Sequence, residues 1–245
     1  MADLEGKIAL VTGASRGIGA EVARGLAARG ADVVINYRSK GGRAEDVAAA
    51  VRALGRRSLL AQADLTDPEA TRVMFDIIRE TWGRLDLLIL NASGALEKDR
   101  PAGYAMELNA IAQERALDAA FPMMSSGGRI VFVTSHLAHF HGQKPGYASY
   151  DEVAASKRAG EDALRARMPE LAGRDIRLIV VSGDIIEGTI TPRLMEREQP
   201  GLIEARRAVA GALPTVEEFA HAIVGAAADP DLASGATVFV GSVDW

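Results

Sequence analysis

The chain of 245 residues contains no cysteine, which excludes disulfides, thiolate catalysis and metal sites built on cysteine. Any redox chemistry must therefore come from a bound cofactor. A basic surface for nucleic acid is also missing, because the formal net charge is −5 and the 28 Lys and Arg residues are scattered. No apolar run approaches the ~18 residues of a membrane span, and the start of the chain lacks the basic residues and length of a secretory signal. The sequence therefore predicts a cytoplasmic protein that binds neither nucleic acid nor membranes.

What the chain does contain is a regular alternation of strand and helix patterns. Short runs of Val, Ile and Leu predict seven buried parallel strands, at residues 8–12, 33–36, 59–63, 85–90, 130–134, 176–181 and 237–240. Helical patterns lie between them, among others at residues 18–29, 44–54, 68–81, 104–120, 150–168 and 216–228. This order predicts one doubly wound α/β domain over residues 1–245, a Rossmann-type sheet with helices on both faces. An irregular insertion at residues 184–202 is predicted to act as a substrate lid.

A glycine-rich loop, TGASRGIG at residues 12–19, joins the first predicted strand to the first predicted helix. Glycine at positions 13 and 17 permits a close ligand approach that a Cβ would block, and glycine at position 19 lets the helix pack close to the strand. The helix N-terminus then faces a pyrophosphate. A tight turn without a ligand is the alternative, but the position after the first strand favours dinucleotide binding. The residues predicted to contact the dinucleotide are Gly13, Ser15, Arg16, Gly17, Ile18 and Gly19.

The end of the second predicted strand indicates which dinucleotide binds. An NAD site usually has an acidic residue there, which bonds the ribose 2′-hydroxyl. This strand instead ends Asn36-Tyr37-Arg38, and a guanidinium is well shaped for a 2′-phosphate. Two solvated surface arginines are the alternative. Arg38 and Arg16 together predict NADP(H) as the cofactor.

With these features the chain resembles the short-chain dehydrogenase/reductase family over essentially its whole length. The glycine loop is similar to the family's cofactor loop. Asp64 and Leu65 match the position after the third strand that contacts adenine. Asn91 and Ala92 match the motif that ends the fourth strand, although Ser93 follows where the family has glycine. The resemblance implies a ketoreductase-like enzyme that transfers a hydride between NADP(H) and a carbonyl or secondary alcohol.

The resemblance also implies the residues of an active site. Ser135, at the end of the fifth predicted strand, matches the serine that bonds the substrate carbonyl. Lys157 matches the lysine that bonds the nicotinamide ribose and lowers the pKa of a neighbouring tyrosine. Asn109 matches the helix asparagine that helps to hold a proton-relay water. The family's tyrosine is absent, because the position four residues before the lysine is Val153, which has no proton to donate.

Tyr150 lies one helical turn upstream of this valine. Ser149 begins a Ser-x-x-Glu sequence typical of a capping box, so it is expected to cap the helix, with Tyr150 as the first helical residue. Tyr150, Val153 and Lys157 then lie along one stripe, with Tyr150 about 4.5 Å further toward the N-terminus than the family's tyrosine. We therefore expect Tyr150 to act as the general acid, and the alternative is that it only packs or lines the pocket.

Three other side chains are alternative proton donors. Tyr147 lies close upstream, and the segment HLAHFH directly after the active-site serine is expected to form a loop beside the substrate. Histidine titrates near neutral pH, so His136 or His141 is a candidate, although either one more often packs or shapes a pocket. No carboxylate shares the segment and its spacing matches no zinc pattern, so no metal site is expected.

The sequence departs from the family again after the sixth predicted strand, where Gly183-Asp184 stands in place of Pro-Gly. Thr189 is the nearest match to the threonine that bonds the nicotinamide carboxamide, and Thr191 is the alternative. Asp184 and Glu187 are expected to be surface charges.

Two functions are compatible with these observations. The favoured one is NADPH-dependent reduction of a carbonyl, or the reverse oxidation of an alcohol, with a non-standard proton donor. The other is a catalytically decayed NADP-binding sensor or assembly module, which the missing tyrosine supports. Ser135, Asn109 and Lys157 favour the enzyme, since a sensor does not need them. The resemblance also implies a homodimer or homotetramer built through the helices around residues 104–120 and 150–168.

Overall fold

A sheet of seven parallel strands forms the centre of the molecule, of which the computed structural model describes residues 3–96 and 100–244. The strands are β1 (Ile8–Val11), β2 (Asp32–Tyr37), β3 (Ser58–Gln62), β4 (Leu85–Leu90), β5 (Met124–Ser135), β6 (Arg177–Gly183) and β7 (Thr237–Val240). Their order is β3-β2-β1-β4-β5-β6-β7, and neighbouring strands pair in parallel. This sheet confirms the predicted Rossmann-type fold class.

Helices cover both faces of the sheet. Those formed by the described residues are α1 (Gly17–Ala28), α2 (Gly41–Ala53), α3 (Pro68–Trp82), α4 (Tyr104–Met106), α5 (Ala112–Ala120), α6 (His136–His139), α7 (Asp151–Ala166), α8 (Met168–Ala172), α9 (Ile190–Glu198), α10 (Leu202–Ala210) and α11 (Val216–Ala228). One apolar core contains buried residues of α1, α2 and α11, and a second, on the other face, contains residues of α3, α5 and α7. Every residue of β1 and β4 is buried, because these central strands lie between both cores.

The order of the strands indicates which edge of the sheet binds a ligand. From β1 the chain winds in one direction to β2 and β3 and then, from β4 onward, in the other. In an open parallel sheet this reversal leaves a crevice beyond the carboxyl ends of the strands, between β1 and β4. The glycine loop and the residues that follow β4, β5 and β6 all lie at this edge.

Two predicted helices differ in detail from the observed ones. The helix predicted at 104–120 is divided, because a π-helical turn (Glu107–Ile111) separates α4 from α5. The helix predicted at 150–168 begins at Asp151 and ends at Ala166, and Pro169 stands at the start of the separate helix α8. The insertion at residues 184–202 is also less irregular than predicted, since residues 190–198 form α9 and its last residue begins α10. Within the described ranges, no helix has the length and apolar character needed to cross a membrane.

Candidate active site

A cleft of about 610 Å³ lies at the carboxyl edge of the sheet. It is bordered by the glycine loop, by the residues after β2, β4, β5 and β6, and by α9. The predicted site residues that line it are Gly13, Ser15, Arg16, Gly17, Ile18, Gly19, Arg38, Asp64, Leu65, Asn91, Ala92, Ser135, Tyr150, Lys157 and Thr189. The remaining one, Asn109, is buried. The fold thus brings together side chains that are far apart in sequence, within a volume typical of a small-molecule site.

The glycine loop is held by the ends of the neighbouring strands. The Gly13 amide donates to Asn36 Oδ1 at 3.1 Å, which ties the loop to β2. Thr12 Oγ1 accepts the Asn91 amide at 2.8 Å, and Asn91 Nδ2 donates to the Thr12 carbonyl at 2.8 Å. An ideal Cβ on Gly19 would lie 2.6 Å from both Asn91 Nδ2 and the Gly13 carbonyl, so only glycine fits there. Asn36 and Asn91 therefore position the loop at the edge of the cleft.

The first turn of α1 is open toward the cleft. Gly17 has φ of +54°, and an ideal Cβ there would meet nothing within 4 Å. Arg16 is the N-cap residue in an extended conformation, and no side chain caps the helix. Unpaired amides at the N-terminus of a helix attract anions. This end of the cleft therefore fits the pyrophosphate of a dinucleotide.

Cationic side chains outnumber acidic ones around the cleft, although the whole chain is acidic. The cationic lining residues are Arg16, Arg38, Lys40, Arg43, Arg100, Lys157, Arg193 and Arg206, and the acidic ones are Asp64 and Asp184. A cleft lined by charge of one sign concentrates ligands of the opposite sign. Asp64 accepts hydrogen bonds from the amide and hydroxyl of Thr66, which fixes the turn after β3. The cleft is therefore suited to a ligand that carries several phosphates.

At the other end of the cleft, the hydroxyls of Ser135 and Tyr150 lie 3.2 Å apart. Ser135 ends β5 and also caps α6, accepting the Ala138 amide at 3.3 Å. Burial raises the pKa of the Tyr150 phenol, and the hydrogen bond with Ser135 lowers it by a smaller amount. Tyr150 is 5% exposed, and because the pKa of a tyrosine is ordinarily about 10 and burial raises it here, the phenol is protonated at neutral pH.

The helix start predicted from the capping box is wrong. Residues Ala148–Tyr150 form a 3₁₀ turn and Tyr150, not Ser149, is the N-cap residue. The Ser149 hydroxyl is buried and hydrogen-bonds to no other part of the described chain. The packing of the Tyr150 ring against Ser135 and the apolar cluster around it decides where the helix begins. The capping pattern, worth about 1 kcal/mol, is the weaker determinant.

Lys157 comes from α7 and is 7% exposed. Its ammonium makes no hydrogen bond or ion pair with any residue that the structure describes, and burial lowers its pKa to about 8. Four residues earlier, Val153 is 3% exposed in an apolar cluster with Ile185, Met195 and Leu202. Apolar packing therefore occupies the position where the resemblance implies a tyrosine.

Asn109 lies in the π-helical turn, behind the cleft. Its Nδ2 donates to Ser156 Oγ at 3.0 Å, and its side chain exchanges longer contacts with the backbone of Gly94. An ideal Cβ on Gly160 would lie 2.2 Å from the Asn109 carbonyl, so glycine there lets α7 approach the π-helical turn. Asn109 thus connects α7, which carries Lys157, to the segment that follows β4.

The predicted histidine loop is instead the short helix α6, and its histidines have separate partners. His136 lines the cleft, but it is 1% exposed, its Nδ1 lies 2.8 Å from Ser182 Oγ, and burial lowers its pKa to about 4. It therefore carries no transferable imidazolium proton at neutral pH. His141 pairs with Asp151 at 3.0 Å outside the cleft lining. These positions favour Tyr150 over either histidine as proton donor.

The prediction that Asp184 is a surface charge is wrong. Asp184 is 8% exposed and accepts two hydrogen bonds from the buried Arg206 of α10, at 2.9 and 2.8 Å. Sequence reasoning did not find this pair, because no periodicity links an acid after a strand to an arginine in a later helix. Glu187 pairs with Arg207 near the surface. Thr189 and Thr191 both line the cleft, so the fold does not choose between them.

Comparison with known proteins identifies the family. The sequence profile of the short chain dehydrogenases matches residues 7–199. The chain belongs to the short-chain dehydrogenase family. It is 32% identical to an uncharacterized oxidoreductase of Methylorubrum extorquens, over all of this chain and 94% of that protein.

Two further members of the short-chain dehydrogenase family carry more specific descriptions. A hydroxynaphthalene reductase of Aspergillus fumigatus is 37% identical over 66% of this chain, which corresponds to 60% of the fungal protein. The crystal structure of a short-chain dehydrogenase from Burkholderia cenocepacia in complex with NADP has a TM-score of 0.83 and 32% identity, and the match covers 97% of each chain. The oxidoreductase fold and family therefore extend along the whole chain.

Proposed function

We propose that this short-chain dehydrogenase is an NADPH-dependent carbonyl reductase in which Tyr150 donates the proton. The 3.2 Å contact between Ser135 Oγ and Tyr150 Oη carries the proposal, because it places two hydroxyl donors at one point of the cleft. The same cleft contains Lys157. The decayed-sensor alternative does not account for these donors, since cofactor binding alone does not require them.

The residues of the cleft divide between holding the cofactor and acting on the substrate. The glycine loop and the open first turn of α1 would hold the pyrophosphate, Arg16 and Arg38 would hold the 2′-phosphate, and Asp64 would contact the adenine. Lys157 would hold the nicotinamide ribose, and Thr189 would hold the carboxamide. When bound, the cofactor supplies the hydride. The NADP complex of the Burkholderia relative supports NADP(H) as the cofactor.

Ser135 and Tyr150 act on the substrate oxygen. Both hydroxyls donate hydrogen bonds to the carbonyl oxygen, which polarises the C=O bond before negative charge develops on that oxygen. Tyr150 then transfers its proton to the alkoxide as general acid. Lys157 is still largely protonated at pH 7, because its pKa of about 8 lies above that pH. Its positive charge stabilises the tyrosinate that remains.

The start of α7 explains how Tyr150 compensates for Val153. Tyr150 ends the 3₁₀ turn Ala148–Tyr150, and its hydroxyl lies 3.2 Å from that of Ser135 at the end of β5. A phenol reaches about 6.5 Å from its Cα, which is more than one helical turn of 5.4 Å. A tyrosine that lies earlier in the chain therefore still presents its hydroxyl to Ser135.

The walls around the two hydroxyls favour an apolar ketone as substrate. Leu137, Tyr147, Ile185 and Met195 line this part of the cleft, and they present aliphatic and aromatic surface. A pocket of this kind binds by burial of apolar area, with a few polar groups that fix orientation. The hydroxynaphthalene reductase of Aspergillus fumigatus supports an aromatic substrate class.

Exposed apolar side chains support assembly into a homodimer or homotetramer. Met106 of α4 and Ile111 of the π-helical turn are 41% and 43% exposed on the segment that the resemblance assigns to the subunit interface. Light scattering coupled to size exclusion tests this assembly. A monomer at micromolar concentration would refute it.

The reaction itself is tested with purified protein and a panel of ketones, from aliphatic to bicyclic aromatic. We expect oxidation of NADPH, followed at 340 nm, with aromatic ketones preferred and with NADH used far less efficiently. NADPH binding without turnover across the panel would refute the reductase and favour the sensor.

A further inference from the structure

Tyr104 connects two sides of the cleft that lie far apart in sequence. Arg38 Nη1 donates a hydrogen bond to the Tyr104 hydroxyl at 2.9 Å, and the two residues are 66 positions apart. Arg38 follows β2 and Tyr104 begins α4, and both side chains line the cleft. The guanidinium of Arg100 lies over the Tyr104 ring, 4.7 Å from its centroid. The cleft therefore has a bridge of three side chains at the end where the resemblance places the adenosine.

The bridge leaves hydrogen-bond donors available to a ligand. Arg38 is exposed and forms no ion pair with any acidic side chain in the described ranges, although acidic residues outnumber basic ones in the chain. A guanidinium has five N–H donors, and the phenol of Tyr104 accepts only one of them here. The phenol O–H is itself a donor, since its oxygen acts as the acceptor in this bond. Tyr104 and Arg38 thus present donors side by side.

The charge around the bridge indicates the ligand group. Arg16 of the glycine loop also lines the cleft, as do Lys40 and Arg43, which follow Arg38 closely in the chain. Guanidinium groups and a phenol hydroxyl donate hydrogen bonds from several directions, and the surrounding positive charge favours an anion. Such a set of donors is suited to a dianionic phosphate, whose oxygens accept hydrogen bonds in several directions. A ribose hydroxyl would need far fewer donors.

We propose that Tyr104 and Arg100 complete the recognition of the ribose 2′-phosphate, an inference that rests on the proposed NADP(H) site. Tyr104 orients the Arg38 guanidinium and donates its own hydroxyl to a phosphate oxygen. Arg100 holds the Tyr104 ring in place by stacking and adds positive charge above it. Discrimination between NADPH and NADH then depends on Arg100 and Tyr104 as well as on the glycine loop and the end of β2.

The test uses two probes that lack the nicotinamide, adenosine 2′,5′-bisphosphate and adenosine 5′-phosphate, so that it does not depend on catalysis. Dissociation constants are measured by calorimetry for the wild type, Tyr104→Phe, Arg38→Ala and the double variant. The control is Val73→Leu, at an exposed position of α3 that does not line the cleft. A hydrogen bond to a charged group is worth roughly tenfold in affinity.

We expect Tyr104→Phe to weaken the 2′,5′-bisphosphate about tenfold and to leave the 5′-phosphate unchanged. In the Arg38→Ala background the same change should have a smaller effect, because the part of the Tyr104 contribution that orients the Arg38 guanidinium is then already lost. Equal weakening of both probes, or no weakening of either, would overturn the role of Tyr104. A wild-type protein that binds both probes equally would instead overturn the NADP(H) assignment itself.

Discussion

Arg206 is 3% exposed and attaches α10 to the edge of the sheet beside the cleft. Its guanidinium donates to both carboxylate oxygens of Asp184 and to the carbonyls of Ser242 and Asp244, at 2.7 and 2.5 Å for the carbonyls. The substitution Arg206→Met keeps an apolar stem of similar length but removes the cation. Asp184, whose side chain is 4% exposed, would then be a buried charge without its partner.

The size of the effect follows from this burial. Removal of one partner from a buried ion pair costs about 3–5 kcal/mol, because the remaining charge is neither solvated nor compensated. For a domain of this length, each kcal/mol lowers the melting temperature by about 2–4 °C. We therefore expect Arg206→Met to melt about 6–20 °C below the wild type. The double variant Asp184→Asn, Arg206→Met should recover at least half of the loss, since it leaves no buried charge.

Thermal unfolding followed by circular dichroism measures this difference. The adjacent Arg207→Met is the control, because Arg207 is 54% exposed and pairs with Glu187 at the surface. An exposed pair contributes about 0–1 kcal/mol, so this variant should melt within a few degrees of the wild type. If Arg206→Met melts no lower than Arg207→Met, the buried pair does not stabilise the attachment of α10 and the reasoning is wrong.

Two further substitutions test the cleft. Lys157→Met should remove activity yet stabilise the cofactor-free protein by up to about 3 kcal/mol at pH 7, because burial lowers the lysine pKa from 10.5 to about 8 and so disfavours the cation. Between pH 8 and 10.5 the lysine is still protonated in the unfolded chain but has lost its proton in the folded one, so the free energy of unfolding of the wild type should rise relative to that of the variant. Urea unfolding of both proteins at pH 8 and at pH 10.5 checks the sign of this change. Gly19→Ala should cost about 1–3 kcal/mol and weaken NADPH binding at least tenfold, because its Cβ meets the Gly13 carbonyl. Gly42→Ala, in α2 with open space around the position, should be neutral or stabilising in the same assays.

The fold was largely predictable because it depends on apolar runs and glycine positions. Each predicted strand corresponds to an observed one, with ends that differ by a few residues, except that β5 begins several residues earlier than predicted. Continuous apolar runs are the signal of strands buried on both faces, and that signal is local. The π-helical turn was not predictable, since its residues Glu107–Ile111 have ordinary helical patterning.

The candidate site was predictable only where sequence position fixes geometry. The glycine loop and Lys157 follow from their places after β1 and in α7. Tyr150 was singled out by helical spacing, but it lies in a 3₁₀ turn before α7, because burial of the ring overrides the capping pattern at Ser149. The pair of Asp184 and Arg206 depends on how α10 folds back over β6, and nothing local to either residue indicates that contact.

The central claim is that Tyr150 donates the proton, and the rate of NADPH oxidation in a single turnover of Tyr150→Phe tests it most directly. The substitution keeps the ring that packs beside Ser135 and removes only the hydroxyl. Loss of a general acid should lower the rate by about 10²–10⁴-fold, while the dissociation constant for NADPH stays within about twofold of the wild type. A single-turnover rate close to that of the wild type would contradict the claim.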